Sequence, residues 1–194
     1  MGQVQGRVVM PGDYSARLTA GGRSQTVPVH VITDPRHAYP ASAYAEQDAL
    51  AKELQGSIGD LYASVRRIRA ARDQVNDLVK RTADRPEGPA LKTSGEALVA
   101  KLTDMEDQLI QARTTNGQDV INFPTRFDGQ LVALMGSIDG AEPPVTAGQR
   151  QRYQDVQAEW ATLKGRVAAV LGGELDAFNA LVKDKGVPAV VVPK

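Results

Sequence analysis

At 194 residues, 42% of them hydrophobic, the chain is long enough for one domain with an appendage and apolar enough to bury a core. Its 23 lysines and arginines balance 23 aspartates and glutamates, which removes the long-range field that gathers nucleic acid or anionic lipid. The absence of cysteine excludes disulfides, thiolate nucleophiles and cysteine-ligated metal centres.

Residues 3–33 alternate with period two. Tyr14, Ala16 and Leu18 point one way, Asp13, Ser15 and Arg17 the other, and Val27, Val29 and Val31 repeat the pattern. Pro11-Gly12 and Gly21-Gly22 stand where reversals are needed, which predicts two or three short antiparallel strands.

After Asp34-Pro35-Arg36 the period changes. From Ala41 to Arg81 apolar or small residues fall at Tyr44, Ala51, Leu54, Ile58, Leu61, Val65, Ile68, Val75 and Val79, a heptad seam along a helix of roughly 60 Å. Arg72 fills the one missing place, so it is expected inward as a buried structural anchor, partnered by a carboxylate or backbone carbonyls; lining a ligand site is the alternative. Gly56 and Gly59 weaken that helix and suggest a close crossing or a bend.

Thr82 to Pro89 breaks the helix, and a second stripe runs Leu91, Gly95, Leu98, Leu102, Met105, Leu109 and Ala112, which predicts an antiparallel partner stopped by Asn116-Gly117. Phe127, Leu131, Leu134 and Ile138 mark a shorter third helix with Asn122 as its expected N-cap. Thr146 and Gln149 have capping-box spacing before a fourth helix carrying Tyr153, Val156, Trp160, Leu163, Val167 and Val170, which Gly172-Gly173 should interrupt. A last short helix over Leu175, Phe178, Ala180 and Leu181 precedes an extended tail. The predicted fold is mainly α, an antiparallel bundle of four to five helices at about 60–70% helix with a small N-terminal antiparallel β segment. The division is residues 1–36 for truncated sandwich-like strands and 37–194 for the bundle and tail.

Constellations for chemistry are sparse. His30 and His37 have neither metal-pair spacing on a helix nor a base–nucleophile arrangement. Asp104, Glu106 and Asp107 flank the core position Met105 and are expected on a wet face. Arg66, Arg67, Arg69 and Arg72 form the densest basic run, without the interleaved aromatics of a nucleic-acid platform. Trp160, Phe123 and Phe127 read as packing residues rather than a sugar platform. Phosphate-loop, nucleophile-elbow and zinc-helix motifs are missing, so no catalytic, cofactor-binding or metal residue is expected. The first six residues lack a leader-like basic then apolar segment, and Val187 to Val192 is too short to span a bilayer; no membrane insertion is expected.

Two stretches resemble a known family. Pro11-Gly12-Asp13-Tyr14-Ser15-Ala16-Arg17-Leu18, the Gly21-Gly22 turn, Pro28-Val29 and Asp34-Pro35-Arg36 resemble the closing strands of an immunoglobulin-like domain found after bacterial β-propellers. Gly117 to Pro124, Arg126-Phe127 and the run Val65 to Gln74 resemble the helical C-terminal region of large secreted bacterial proteins with BNR or sortilin-like (Vps10) propeller repeats, often labelled glycosyl hydrolases.

The resemblance implies an excised C-terminal accessory domain, extracellular or periplasmic in its parent. Its partners would be the parent's propeller and immunoglobulin-like portions, and the chain itself would be non-catalytic. A carbohydrate- or peptide-binding accessory role, or completion of a hydrolase active site by the missing propeller, are the alternatives. A sandwich of that kind needs about seven strands. The open strand edge should therefore be filled by the Val187 to Val192 tail or by a second copy in a weak homodimer.

Overall fold

The computed structural model describes residues 6–114, 116 and 119–188. The fold is mainly α, 65% helical, with a two-stranded antiparallel sheet at the N-terminal end. Strands β1 (Gly12–Ala20) and β2 (Arg23–Val31) are followed by helices α1 (Ala41–Arg81), α2 (Gly88–Leu109), α3 (Phe127–Asp139), α4 (Ala147–Ala169) and α5 (Leu175–Asp184). A 3-10 turn covers Asp119–Ile121, and a π turn, Val170–Glu174, joins α4 to α5. Compactness groups residues 1–57 with 131–155, and residues 58–130 with 156–194.

In the first unit, β1 and β2 pair from Gly12↔Val31 to Ala20↔Arg23. The two-residue turn needs positive φ at both positions, which Gly21 (φ 55) and Gly22 (φ 75) supply. Ala51, Leu54, Leu131, Leu134, Ile138 and Val145 are buried core positions of this unit. Polar links surround them. Arg150 grips Glu46 with two hydrogen bonds of 2.5 and 2.8 Å, the Tyr153 hydroxyl meets Glu53, and Arg7 pairs with Asp48. Burial, reinforced by the Glu53 carboxylate, pushes the Tyr153 phenol up to about 12. The capping box opens α4 as expected: Gln149 N–H donates to Thr146 Oγ1 at 3.2 Å, and Thr146 N–H donates to Gln149 Oε1 at 2.8 Å.

In the second unit, the seam Ile58, Leu61, Val65, Ile68 and Val75 is buried, as are Leu91, Leu98, Leu102, Met105 and Leu109. Gly95 lies beside Val75 and Val79, while Glu106 lies beside Arg69 and Arg72, so this part of α1 and α2 run antiparallel. The close approach is at Gly95. Nothing stands within 4 Å of a Cβ built at Gly56 or Gly59, so the crossing expected there is absent. Val156, Trp160, Leu163 and Val167 continue the core, and the Trp160 ring stacks on Phe127 at 5.9 Å.

Several boundaries differ from expectation. Gly88 and Pro89 belong to α2, because proline at the first turn forfeits only an N–H that no helix would use. The helix ends at Leu109 rather than near Ala112, since Ile110 turns extended and is itself buried. Asn122 does not cap α3; its N–H closes the 3-10 turn on Asp119 O at 3.0 Å, and α3 begins only after Pro124. Gly172-Gly173 interrupts α4 as expected, but through a π turn that keeps the chain helical rather than through a loop. Val167, Leu171 and Leu175 are separated by two successive steps of four, each overshooting an α turn by about 40°, and the wider π turn takes up the excess. Tail residues 189–192, a proposed filler for the sheet edge, lie outside the described residues.

Candidate functional site

The hairpin is the least buried element of the fold. Alternation places Tyr14, Ala16, Leu18, Val27 and Val29 on one face, as the sequence requires, yet Leu18 is 72% and Val27 45% exposed. Tyr14 and Val29 are each 40% exposed. The opposite face carries Asp13, Arg17, Thr19, Ser24, Thr26 and His30 in cross-strand polar pairs: His30 Nδ1 lies 2.6 Å from Asp13 Oδ1, and Thr19 Oγ1 lies 2.8 Å from Ser24 Oγ. A half-buried strand has one wet face; here both are wet. Clustered exposed apolar residues of this kind mark interaction surfaces.

At the start of β1 the Tyr14 hydroxyl donates to the Met10 carbonyl at 2.7 Å, tying the strand to the chain that enters it. A tyrosine bonded back to backbone a few residues upstream is the corner that opens a late strand in immunoglobulin-like sandwiches. Val8, Val9 and Ile32, also exposed, extend the apolar surface along a shallow groove of about 370 Å³ toward Tyr44 and Gln47. Beside it Asp34 accepts from Arg36 through side chain and backbone, which holds its carboxyl down at about 2.

The residues singled out in the sequence fall elsewhere. Arg72 is part-buried, its side chain 24% exposed, and its Nη1 donates to Glu106 Oε2 at 2.6 Å and to Thr103 Oγ1 at 3.5 Å. Arg69 Nε donates to the other oxygen, Glu106 Oε1, at 2.6 Å. Glu106 is thus not on a wet face: it is 3% exposed, drawn inward by two guanidiniums from α1. Two arginines three residues apart on one helix were visible in the sequence; which acid they meet was not.

His37 stacks on Tyr39 at 5.6 Å, and His30 holds Asp13 on an exposed strand. Among the described residues no three histidine, aspartate or glutamate side chains converge as metal ligands would, and no helix is long and apolar enough to cross a membrane. Asp128 and Tyr62 form one more polar pair, the hydroxyl donating to Oδ2 at 3.3 Å; burial raises both the carboxyl and the phenol.

No protein-family model, curated protein or solved structure matches the chain.

Proposed function

We propose that this chain is a non-catalytic structural and interaction module whose hairpin is the closing strand pair of an immunoglobulin-like sandwich, mounted on helices, within a larger secreted β-propeller protein of the glycosyl-hydrolase-like kind. The observation that carries the reading is the Tyr14–Met10 corner at the head of a regular hairpin whose apolar face has no covering sheet among the described residues. Sequence alternation built that face for burial; the surface that buries it belongs to other strands. The cross-linked helices suit a brace, since the buried Glu106 carboxylate is held between Arg69 and Arg72 rather than left free for chemistry.

The test is a longer chain that includes the coding sequence upstream of Met1. Amide exchange at residues 14–18 and 27–31 should slow at least tenfold relative to the 194-residue chain, as a covered sheet requires. Unchanged exchange, or an upstream sequence without propeller repeats, would sink the reading. The 194-residue chain should match the buffer blank on aryl glycosides and casein.

A further inference from the structure

The two edges of the hairpin are not equivalent. A two-residue turn makes Ala20↔Arg23 a hydrogen-bonded pair, and pairs alternate from there, so residues 13, 15, 17 and 19 of β1 and 24, 26, 28 and 30 of β2 aim their backbone N–H and C=O outward. On β2 one of those outward positions is Pro28, which has no N–H to offer. That edge is blunted. On β1 every outward residue can donate and accept, and Asp13 to Ala20 are all exposed.

The β1 edge also complements itself. In a two-fold antiparallel pairing of β1 with another β1, outward residues must face outward residues. Of the registers this allows, the one with Ser15 on the axis sets Asp13 opposite Arg17 of the second copy and Arg17 opposite its Asp13. The same register puts Tyr14 against Ala16, a large side chain beside a small one, in the closely spaced non-hydrogen-bonded pair. Within the hairpin Asp13 meets His30 through Oδ1, and Arg17 donates through Nε to Thr26 Oγ1 at 3.3 Å. The Asp13 Oδ2 and Arg17 Nη atoms are separate groups that can serve the second copy.

We propose that the β1 edge pairs with the β1 edge of a second copy of this chain, with Ser15 on the two-fold axis, giving a continuous four-stranded sheet in the order β2-β1-β1-β2. The proposal does not rest on the accessory-module reading and competes with it for this edge: in a complete sandwich the outer side of β1 would go to another strand, so the self-pairing belongs to the 194-residue chain by itself. The contact is one strand wide, so the dimer is weak and concentration-dependent.

Sedimentation equilibrium on the 194-residue chain should show a mass rising toward twice the monomer with concentration. Ser15→Pro removes a central outward N–H without touching the inner ladder and should leave a monomer with its hairpin amide signals intact. Asp13→Arg or Arg17→Asp alone should weaken the dimer about tenfold by setting like charges opposite one another, and the two together should restore it. Because the chain has no cysteine, Ser15→Cys provides a single thiol, which a short bis-maleimide should cross-link between copies; Ser24→Cys on the blunted edge should not cross-link. A strict monomer at every concentration would overturn the proposal and leave the edge to a strand of another protein. A dimer that survives Ser15→Pro, or links through Ser24, would overturn it as well. Should Ser15→Pro lose the hairpin signals, the charge reversal and its restoration decide.

Discussion

A Cβ added to Gly95 would lie 2.5 Å from Val79 Cγ2, so α1 and α2 touch there through a missing methyl. The contact is deepened by Val75 and Phe178, whose carbons would stand 3.3 and 3.5 Å away. Gly95→Ala gains about 1 kcal/mol of helix propensity but must displace Val79 within a packed layer, and a net loss of about 1–2 kcal/mol is expected. Gly56→Ala and Gly59→Ala, exposed with nothing within 4 Å, should each stabilise by about 0.5–1 kcal/mol. Urea midpoints of the three variants check the contrast; a stabilising Gly95→Ala would contradict the packing.

Glu106 is the hub of its triad, so its loss should exceed that of either arginine. Glu106→Ala strands two guanidiniums and should cost about 2–3 kcal/mol, toward the low end for broken buried pairs because both arginine side chains reach water. Arg72→Ala leaves Arg69 on the carboxylate and should cost about 1–2 kcal/mol. Arg72→Leu should be milder than Arg72→Ala, since it keeps apolar volume at a seam position. Thermal unfolding of the set would detect the order.

Asp128 has a carboxyl raised by burial, and the sign of its pH effect follows from that. The folded state favours its neutral form, so ionisation opposes folding in full above the folded pKa, and the penalty shrinks as pH falls through it and is gone below the ordinary carboxylate value of the unfolded chain. Asp128→Asn should therefore be at least as stable as the parent at pH 7, with the difference shrinking toward pH 3–4, roughly the ordinary carboxylate range. Denaturant titrations at the two pH values measure it; a difference that grows on acidification would reverse the assignment.

Tyr14→Phe removes the bond to Met10 at an exposed corner, so the loss is local. Amide exchange in β1 should quicken by about threefold to tenfold. The thermal midpoint of the helices should stay unchanged. A shift of the whole transition would mean that the corner supports more than the hairpin.

The helices were legible because burial writes a period. The Ala41–Arg81 helix follows from its steps of three and four, and the capping box at Thr146 and Gln149 from spacing alone. Glu106 was misplaced because periodicity assigns an acid beside Met105 to solvent; only the two arginines approaching from α1 make inward placement favourable, and that pairing is a fact of three dimensions. Asn122 carried the right chemistry for a cap but the wrong neighbour, since Pro124 delays α3. The candidate surface was half legible: alternation specified an apolar face on β1 and β2, while its exposure and the Tyr14–Met10 bond appear only once the chain is folded.

The π turn at Val170–Glu174 gives this otherwise length-sensitive architecture one residue of slack. Removing a residue from an α turn swings everything beyond it by about 100°, which would carry Phe178 off its buried side. Removing Gly172 or Gly173 would instead convert the wide turn into an ordinary one, leaving Phe178 on the same side and drawing α5 in by about 1.5 Å. At that junction inside a helix, a change in chain length is nearly silent.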